Sequence, residues 1–273
     1  MTSHRTAWIL PSVVVLFAFA AGCESKKETG SSPSSGASAA ASAAPAGKLG
    51  SATLRGEVRF TGQPPEMKVP AKRAQATDVC KDKQLAHDAV IVQGGKLKDV
   101  LVRIAPKSFD GRYEVPPAAT VDQVDCMYVP RIQGVLSGQE ITVKNSDRTL
   151  HNVHTYLGAE TVFNEATAMG SPPIAKRLPP SGIVRFGCDI HPWMRSFVVV
   201  TDHPFFAVSG ADGAFRIDRV PAGKYKLEAF HARYGVKTQE VTVTDGQTLE
   251  VAFSFDGTEP EPPENQGELQ GLW

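Results

Sequence analysis

The sequence predicts an all-β protein built from β-sandwiches. Apolar and polar residues alternate with a period close to two in ten short runs, and no stretch has the spacing of a long amphipathic helix. Glycine, proline, serine and aspartate separate several of these runs, as expected for tight turns between strands. The runs are LRGEVRF, AVIVQ, KDVLVRIA, EITVKN, IVRFGC, SFVVVTD, GAFRIDRV, KYKLEAF, QEVTVT and TLEVAFSF.

Residues 1–23 are expected to be an export signal. Basic side chains precede an apolar stretch that is shorter than the roughly 20 residues needed to span a bilayer, and small residues then stand immediately before Cys23. This order resembles the lipobox of bacterial lipoproteins, in which lipid is attached to the cysteine. An ordinary cleaved signal peptide and an uncleaved anchor are the alternatives. The lipobox predicts a periplasmic, lipid-anchored chain, and Glu24 favours the outer membrane.

Composition sets apart two further segments. Residues 24–50 consist mainly of serine, alanine, glycine and proline, which predicts a disordered tether, and residues 257–273 are expected to form a similar tail. Basic and acidic side chains number 29 each, so the net charge gives no reason to expect nucleic acid as a partner.

The four cysteines have three expected roles. Cys23 is the lipidation site, and Cys188 opens the motif CDIHPWM. Cys80 and Cys126 remain as a pair in an oxidising compartment, which predicts a disulfide between them. Two buried free thiols are the alternative.

The motif CDIHPWM places Cys188, His191 and Met194 three residues apart. An extended strand would hold its two sulfurs about 20 Å apart, so the segment must curl if they are to share one ion. Pro192 suits a tight loop between two strands, because it lacks a backbone donor and fixes φ. The motif therefore predicts a metal-binding loop that needs a further ligand from elsewhere.

That ligand is expected from LHNVH, which follows the strand run EITVKN. His151 and His154 point to opposite faces of an extended strand, so only one of them can reach the ion. LHNVH and CDIHPWMRSFVVV together resemble the copper site of the amicyanin and plastocyanin-like blue copper proteins, the cupredoxins. The resemblance implies a Greek-key sandwich with one type 1 copper ion bound by His151, Cys188, His191 and Met194. Zinc is the alternative ion, but thioether is a poor zinc ligand.

The resemblance also implies roles for neighbours of the ligands. Asn152 corresponds to an asparagine that ties the two copper loops together by hydrogen bonds, and a simple turn residue is the alternative. Pro192 and Trp193 are predicted to form, with His191, an exposed apolar patch where redox partners such as a cytochrome or a dehydrogenase dock. The alternative is that Trp193 belongs to the core.

A second, smaller sandwich is predicted over residues 204–256. Its D-G-x-F and P-x-G-x-Y motifs, in SGADGAFRIDRVPAGKYKLEAF, resemble carboxypeptidase regulatory-like or transthyretin-like modules. Such modules usually begin with a strand like RGEVRFTGQPP, which stands far upstream here. The copper domain, residues 51–203, is therefore expected to be inserted into this module, with residues 51–65 pairing with the C-terminal strands. Simple tandem order is the alternative.

The full order of motifs resembles exported methylamine-utilisation-like cupredoxins and predicts a membrane-tethered carrier of single electrons between Cu(II) and Cu(I). No phosphate-binding loop, nucleophile elbow or H-E-x-x-H pair occurs, so the protein is not expected to be an enzyme. A non-redox protein that stores or delivers copper, or that binds a cell-surface partner, is the alternative.

Overall fold

The fold is described here from a computed structural model, which defines residues 45–66, 79–80 and 90–260. Within these residues the regular structure is entirely β, without any helix, and this confirms the all-β prediction. The predicted signal peptide with Cys23, most of the tether and the end of the tail lie outside the described residues.

Eighteen strands of the described residues form four sheets. In chain order they are β1 Ala52–Phe60, β2 Val92–Gln93, β3 Lys96–Leu97, β4 Val100–Ile104, β5 Ala119–Val124, β6 Met127–Val129, β7 Ile132–Leu136, β8 Glu140–Asn145, β9 His151–Leu157, β10 Glu160–Thr167, β11 Ile174–Arg177, β12 Gly182–Gly187, β13 Arg195–Thr201, β14 Phe206–Val208, β15 Ala214–Val220, β16 Gly223–His231, β17 Gly235–Val243 and β18 Thr248–Phe255.

Strands β1–β4 and β14–β18 form one sandwich, called here the host sandwich. One sheet has the order β15-β1-β3-β2, with β18 also paired to β1, and the other has the order β14-β4-β16-β17. Alternate side chains of the two sheets meet in an apolar core, which includes Leu54, Val102, Leu227 and Phe253. In these strands the apolar residues that recur at every second position are therefore the ones that are buried in the core.

The inserted position of the remaining strands follows from the pairing of β1. This strand runs parallel to β18 over eight residue pairs, from Thr53 with Thr248 to Phe60 with Phe255, and Val58 lies opposite Phe253. Its other edge pairs antiparallel with β15. The insertion hypothesis requires this arrangement, and tandem order is incompatible with it.

The host sandwich is larger than residues 204–256. Strands β2 and β3 extend the sheet of β1, and β4 pairs with both β14 and β16. The predicted boundary of 51–203 for the copper domain was therefore wrong at its start, because strands β1–β4 belong to the host. Short upstream strands complete a module whose C-terminal strands cannot bury both sheet faces alone.

The backbone geometry of the host sandwich requires glycine at two positions of the module motifs. At Gly56 of β1 a Cβ atom would lie 1.6 Å from the carbonyl oxygen of Val251, so only glycine lets β1 and β18 approach this closely. Gly213 has φ of +71° in the turn before β15, a conformation that favours glycine.

Strands β5–β13 form the second sandwich, called here the inserted sandwich. Its sheets have the orders β10-β9-β12-β13-β7 and β11-β8-β5-β6. Val121 and Ile141 of one sheet belong to the same buried apolar cluster as Val184 and Val198 of the other. The core also contains cysteine, methionine and tryptophan, all from the end of the sandwich where β8 ends and β9 begins.

The two sandwiches share a buried face. Residues that alternate with the core positions, such as Ile183 and Phe197, pack against Leu101 and Phe230 of the host. An ion pair between Arg103 and Glu228 lies beside them, with 2.9 Å between Nη2 and Oε2 and both side chains almost fully buried. Apolar packing therefore joins the two sandwiches, whereas the ion pair links β4 to β16 within the host at this shared face.

The last six residues of the predicted tether are ordered against the host sandwich. Gly47 donates its N–H to the carbonyl of Arg112, and Arg112 donates to the carbonyl of Pro45. The tether prediction was wrong for residues 45–50, because composition does not reveal these backbone hydrogen bonds.

Candidate metal centre

The segment Cys188–Met194 forms the loop that joins β12 to β13. It curls as predicted: the N–H of Met194 donates to the carbonyl of His191 at 2.8 Å, and the N–H of Cys188 donates to the carbonyl of Met194 at 3.3 Å. The flanking strands pair antiparallel up to Gly187 and Arg195. The loop thus returns on itself and brings its side chains towards one end of the sandwich.

Three donor atoms converge there. Nδ1 of His151, the first residue of β9, lies 2.8 Å from Nδ1 of His191, and Sγ of Cys188 lies 3.7 Å from the same His191 atom. The three side chains are buried, and their donor atoms lie within 4.8 Å of one another. Met194 is fully buried in the same cluster as Cys188. These residues could hold a metal ion.

His151, and not His154, faces this cluster. The side chain of His154 lies on the outer side of β9, where its Nδ1 is 3.1 Å from the carboxylate of Asp189 and its Nε2 is 2.8 Å from Oγ1 of Thr161. The alternation of side chains along a strand separates the two imidazoles. The side-chain alternation along β9 thus places His151, the ligand that the resemblance implied, at the cluster and its competitor His154 on the opposite face.

Asp147 orients His151 and was missed in the sequence. Its Oδ2 accepts a hydrogen bond from Nε2 of His151 at 3.0 Å, and the same carboxylate accepts the N–H groups of Asp125 and Cys126. A carboxylate can only accept, so Nε2 carries the proton and Nδ1 presents a lone pair to the cluster. The spacing of four residues in NSDRTLH is the signal that could have identified it.

The electrostatic environment keeps the cluster neutral when no ion is bound. Burial lowers the pKa of His151 in spite of Asp147. Burial and the neighbouring His151 lower the pKa of His191 to about 4, and burial raises the pKa of the Cys188 thiol. A cation would therefore meet two unprotonated imidazoles and would release the proton of the thiol when it binds.

Asn152 ties β9 to the Cys188 loop. Its Oδ1 accepts the N–H of Asp189 at 2.7 Å, and its Nδ2 donates to Oδ1 of Asn164 at 2.8 Å. The structure therefore contains the tie that the resemblance implied, and a turn role for Asn152 does not describe these contacts.

Tyr128, which was not predicted to be part of the site, hydrogen-bonds to both segments that carry the candidate ligands. Its hydroxyl lies 2.5 Å from the carbonyl of Asn152 and 3.0 Å from that of Gly187. This single group joins β9 and β12 just beneath the cluster, so the two ligand-bearing segments are fixed relative to each other.

A disulfide joins Cys80 and Cys126, with a Cα–Cα distance of 5.7 Å. This confirms the predicted pair and excludes two free thiols. Sγ of Cys80 lies 3.9 Å from Nε2 of His191, so the disulfide borders the candidate metal site. Among the described residues Cys188 is the free cysteine.

The predicted docking patch was wrong in its main residue. Trp193 is only 1% exposed, and its indole N–H donates to the carbonyl of Cys126 at 3.1 Å. Its ring is also close to that of His191, which is itself buried. Burial gives the indole both apolar contact and a hydrogen-bond acceptor, which an exposed patch would not. Pro192 and Ile190 are the exposed apolar residues of the loop.

Comparisons with known proteins concern the two sandwiches separately. A family model for the carboxypeptidase regulatory-like domain matches residues 192–256, which include β14–β18. A search of curated proteins found no match.

No helix in the described part of the chain has the length and apolar character to cross a membrane.

Solved structures similar to this chain include cupredoxins. A purple cupredoxin from Nitrosopumilus maritimus is 20% identical with a TM-score of 0.27, and the alignment covers 30% of this chain and 99% of that one. A reduced amicyanin variant is 26% identical with a TM-score of 0.28, covering 30% and 81%. A copper-containing nitrite reductase from Thermus scotoductus is 18% identical with a TM-score of 0.30, covering 37% and 25%.

Proposed function

We propose that this chain is a type 1 copper protein that carries single electrons, with one copper ion bound by His151, Cys188, His191 and Met194. The observation that carries the proposal is the convergence of two imidazole Nδ1 atoms and one thiol within 4.8 Å in a buried cluster. Two imidazoles and a thiolate with a weak thioether form the donor set that favours blue copper over zinc. When bound, copper supplies a one-electron couple between Cu(II) and Cu(I).

The surroundings of the donors suit such a couple. Asp147 accepts a hydrogen bond from Nε2 of His151, on the ring edge away from the cluster, and Asn152 accepts one from the N–H of Asp189 at the start of the Cys188 loop. Cys188 and His191 are 4% and 2% exposed, so bulk water is largely excluded. Donors held by the protein in a dry site change position little when the charge of the ion changes, and fast electron transfer requires this.

The proposal also covers the role of the protein in the cell. Four protein ligands would leave no open position for a substrate, so we do not assign an enzymatic reaction. Lipid at Cys23 would anchor the chain in the periplasm, at the outer membrane, where a cytochrome or a dehydrogenase would be its redox partner. The methylamine-utilisation-like assignment is part of the same proposal.

Titration of the purified full chain with Cu(II) tests the proposal. We expect a strong visible absorption at one equivalent, which bleaches on reduction and returns on reoxidation without loss of metal. A colourless complex would contradict type 1 copper. Loss of copper to a modest chelator on reduction would favour storage or delivery of copper instead.

Docking of redox partners is proposed around Ile190 and Pro192, which replace the patch predicted at Trp193. Self-exchange of electrons between copies of the protein tests this without a known partner. Ile190→Lys should slow self-exchange about tenfold and leave the visible spectrum intact, because like charges meet at the contact. Val115→Lys is the matched control, since both side chains are 47% exposed and Val115 lies towards the other end of the sandwich.

A further inference from the structure

The two candidate ligand histidines have a second polar face. Their Nδ1 atoms point at each other and at Cys188, whereas their Nε2 atoms point towards the disulfide and Asp147. Nε2 of His191 is 3.9 Å from Sγ of Cys80, and Nε2 of His151 is 3.0 Å from Oδ2 of Asp147. Ligand atoms of Cys126, Asp147 and His151 lie within 4.8 Å of one another.

A disulfide that only stabilises the fold does not require imidazole and carboxylate groups beside its sulfur atoms. The sulfur atoms of a disulfide carry no charge and are poor ligands, but reduction turns them into two thiols whose thiolate forms bind soft cations well. Both cysteines are fully buried, so these thiols would lie in a dry pocket beside a carboxylate and an imidazole.

We propose that reduction of the Cys80–Cys126 disulfide creates a second metal site, formed by Cys80, Cys126, Asp147 and Nε2 of His151. Its occupant is a thiophilic divalent cation of the Zn(II) class. A dithiol reductant supplies two electrons and two protons: the S–S bond breaks, two thiols form, and the reductant becomes a disulfide. Binding of the cation then releases the two thiol protons to solvent, and the His151 proton moves from Nε2 to Nδ1, so that the ring stays neutral.

The distances permit such a site after a small movement. Ligand atoms around a tetrahedral Zn(II) stand about 3.3–3.8 Å apart, given bond lengths of about 2.0–2.3 Å. The ligand atoms of Cys126, Asp147 and His151 lie within 4.8 Å of one another and need to approach by at most about 1–1.5 Å, and the disulfide holds the sulfur of Cys80 next to that of Cys126. His151 is shared between both sites, so the redox state of the disulfide would affect the affinity of the first.

This proposal does not rest on the copper function, because it can be tested without the Cys188 thiol. The full chain with Cys188→Ser is reduced with a phosphine, the excess is removed, and Cd(II) is added as a probe of Zn(II) sites. We expect one equivalent to bind, with an ultraviolet thiolate-to-Cd(II) charge-transfer band of two thiolates. The oxidised form of the same variant should show no band.

A second substitution identifies the carboxylate. Adding Asp147→Asn should weaken Cd(II) binding about 10- to 100-fold, whereas the matched Asp125→Asn, at the residue that directly follows β5 and outside the ligand group, should not change it. Equal affinity in both variants, or no Cd(II) binding to the reduced chain in its folded form, would overturn the proposal.

The proposal can also be decided without a reductant. Cys80→Ser, in the Cys188→Ser background, leaves the Cys126 thiol beside Asp147 and His151. We expect one Cd(II) bound with the band of a single thiolate, and circular dichroism shows whether the β-structure is retained. If reduction unfolds the disulfide-bonded chain, this variant decides: binding supports the site, and absence of the band overturns it.

Discussion

Both sandwiches contain buried histidines, but the rings have different partners. In the host, Nδ1 of His203 accepts the N–H of Phe205 and its Nε2 is 3.3 Å from the carbonyl of Ala105. Nδ1 of His231 accepts the N–H of Arg233. In the inserted sandwich, the Nδ1 atoms of His151 and His191 face each other instead.

This difference distinguishes buried histidines that act as core residues from buried histidines that could bind a metal ion. A ring whose nitrogens bond to nearby backbone groups has its polar atoms satisfied and acts as a core residue. The Nδ1 atoms of His151 and His191 instead lie 2.8 Å apart, so in the metal-free protein one N–H···N hydrogen bond joins the rings, donated by His191 because Nε2 of His151 carries the proton of that ring. A cation that displaces the proton of this hydrogen bond would be bound by both nitrogens and by the nearby thiol, which backbone-bonded rings do not offer.

The largest expected effect concerns Cys188. Cys188→Ser should abolish the visible absorption of the Cu(II) protein, since a hydroxyl does not replace a thiolate as a soft ligand. His203→Gln, which changes a buried histidine of the host, should keep the absorption. Both are measured by spectrophotometric titration with Cu(II). A coloured Cys188→Ser protein would contradict the assignment of the thiolate as a copper ligand. A folded but colourless His203→Gln protein would contradict the distinction between the histidines of the host and those of the metal site.

The next effect concerns stability and not the metal. Glu228→Gln leaves the charge of Arg103 buried between the sandwiches, so the free energy of unfolding should fall by about 3–5 kcal/mol. Urea denaturation measures the change, and the copper spectrum should stay the same. The double variant Arg103→Met, Glu228→Leu should recover most of the loss, because it removes both charges. Equal destabilisation in the single and double variants would contradict this account.

A smaller effect is expected from Asp147→Asn in the oxidised protein. The amide cannot stabilise the His151 ring as a carboxylate does, so Cu(II) affinity should fall about 10- to 100-fold while the visible band remains. Competition with a chelator of known affinity measures the change. Asp125→Asn serves as the neighbouring control, and an equal loss in that variant would show that general charge, not orientation of His151, is responsible.

The smallest effect concerns His231. Burial, with Arg131 and Arg233 nearby, lowers its pKa from 6.5 to about 3. The unfolded chain therefore binds more protons between these values, so this contribution to stability is complete above pH 6.5 and is lost as the pH falls. His231→Phe should reduce the loss of stability of the metal-free protein between pH 7 and 5.5 by about 1.3 kcal/mol. An unchanged pH dependence would contradict the lowered pKa.

The sequence predicted the runs with regular alternation well and missed eight strands, among them β9, which carries the candidate site. All ten runs lie in or overlap strands, whereas β9, with HNVHTYL, was not among them. His151, Asn152 and Thr155 are buried there. Hydrogen bonds satisfy Asn152 and Thr155 within the sheet, so the alternation of polarity disappears where the site is built.

The docking surface and the domain boundary could not be read from the sequence for a related reason. The sequence shows that Trp193 is large and apolar, but whether it faces solvent or core depends on the carbonyl of Cys126, 67 residues away. The membership of β4 in the host depends on pairing with β14 and β16, more than 100 residues downstream, and β2 and β3 join the host through β1. Local patterns do not contain such long-range partners.

The sequence by itself determined the β-architecture, the disulfide pair and the curled loop of Cys188, His191 and Met194. Each follows from local rules: alternation with a period of two, the number of cysteines, and the reach of a strand. Only the tertiary structure decided that His151 rather than His154 enters the cluster, that Asp147 orients it, and that the disulfide lies behind both rings. These features depend on which faces of distant strands meet, and burial and hydrogen bonding select those faces only when the whole chain has folded.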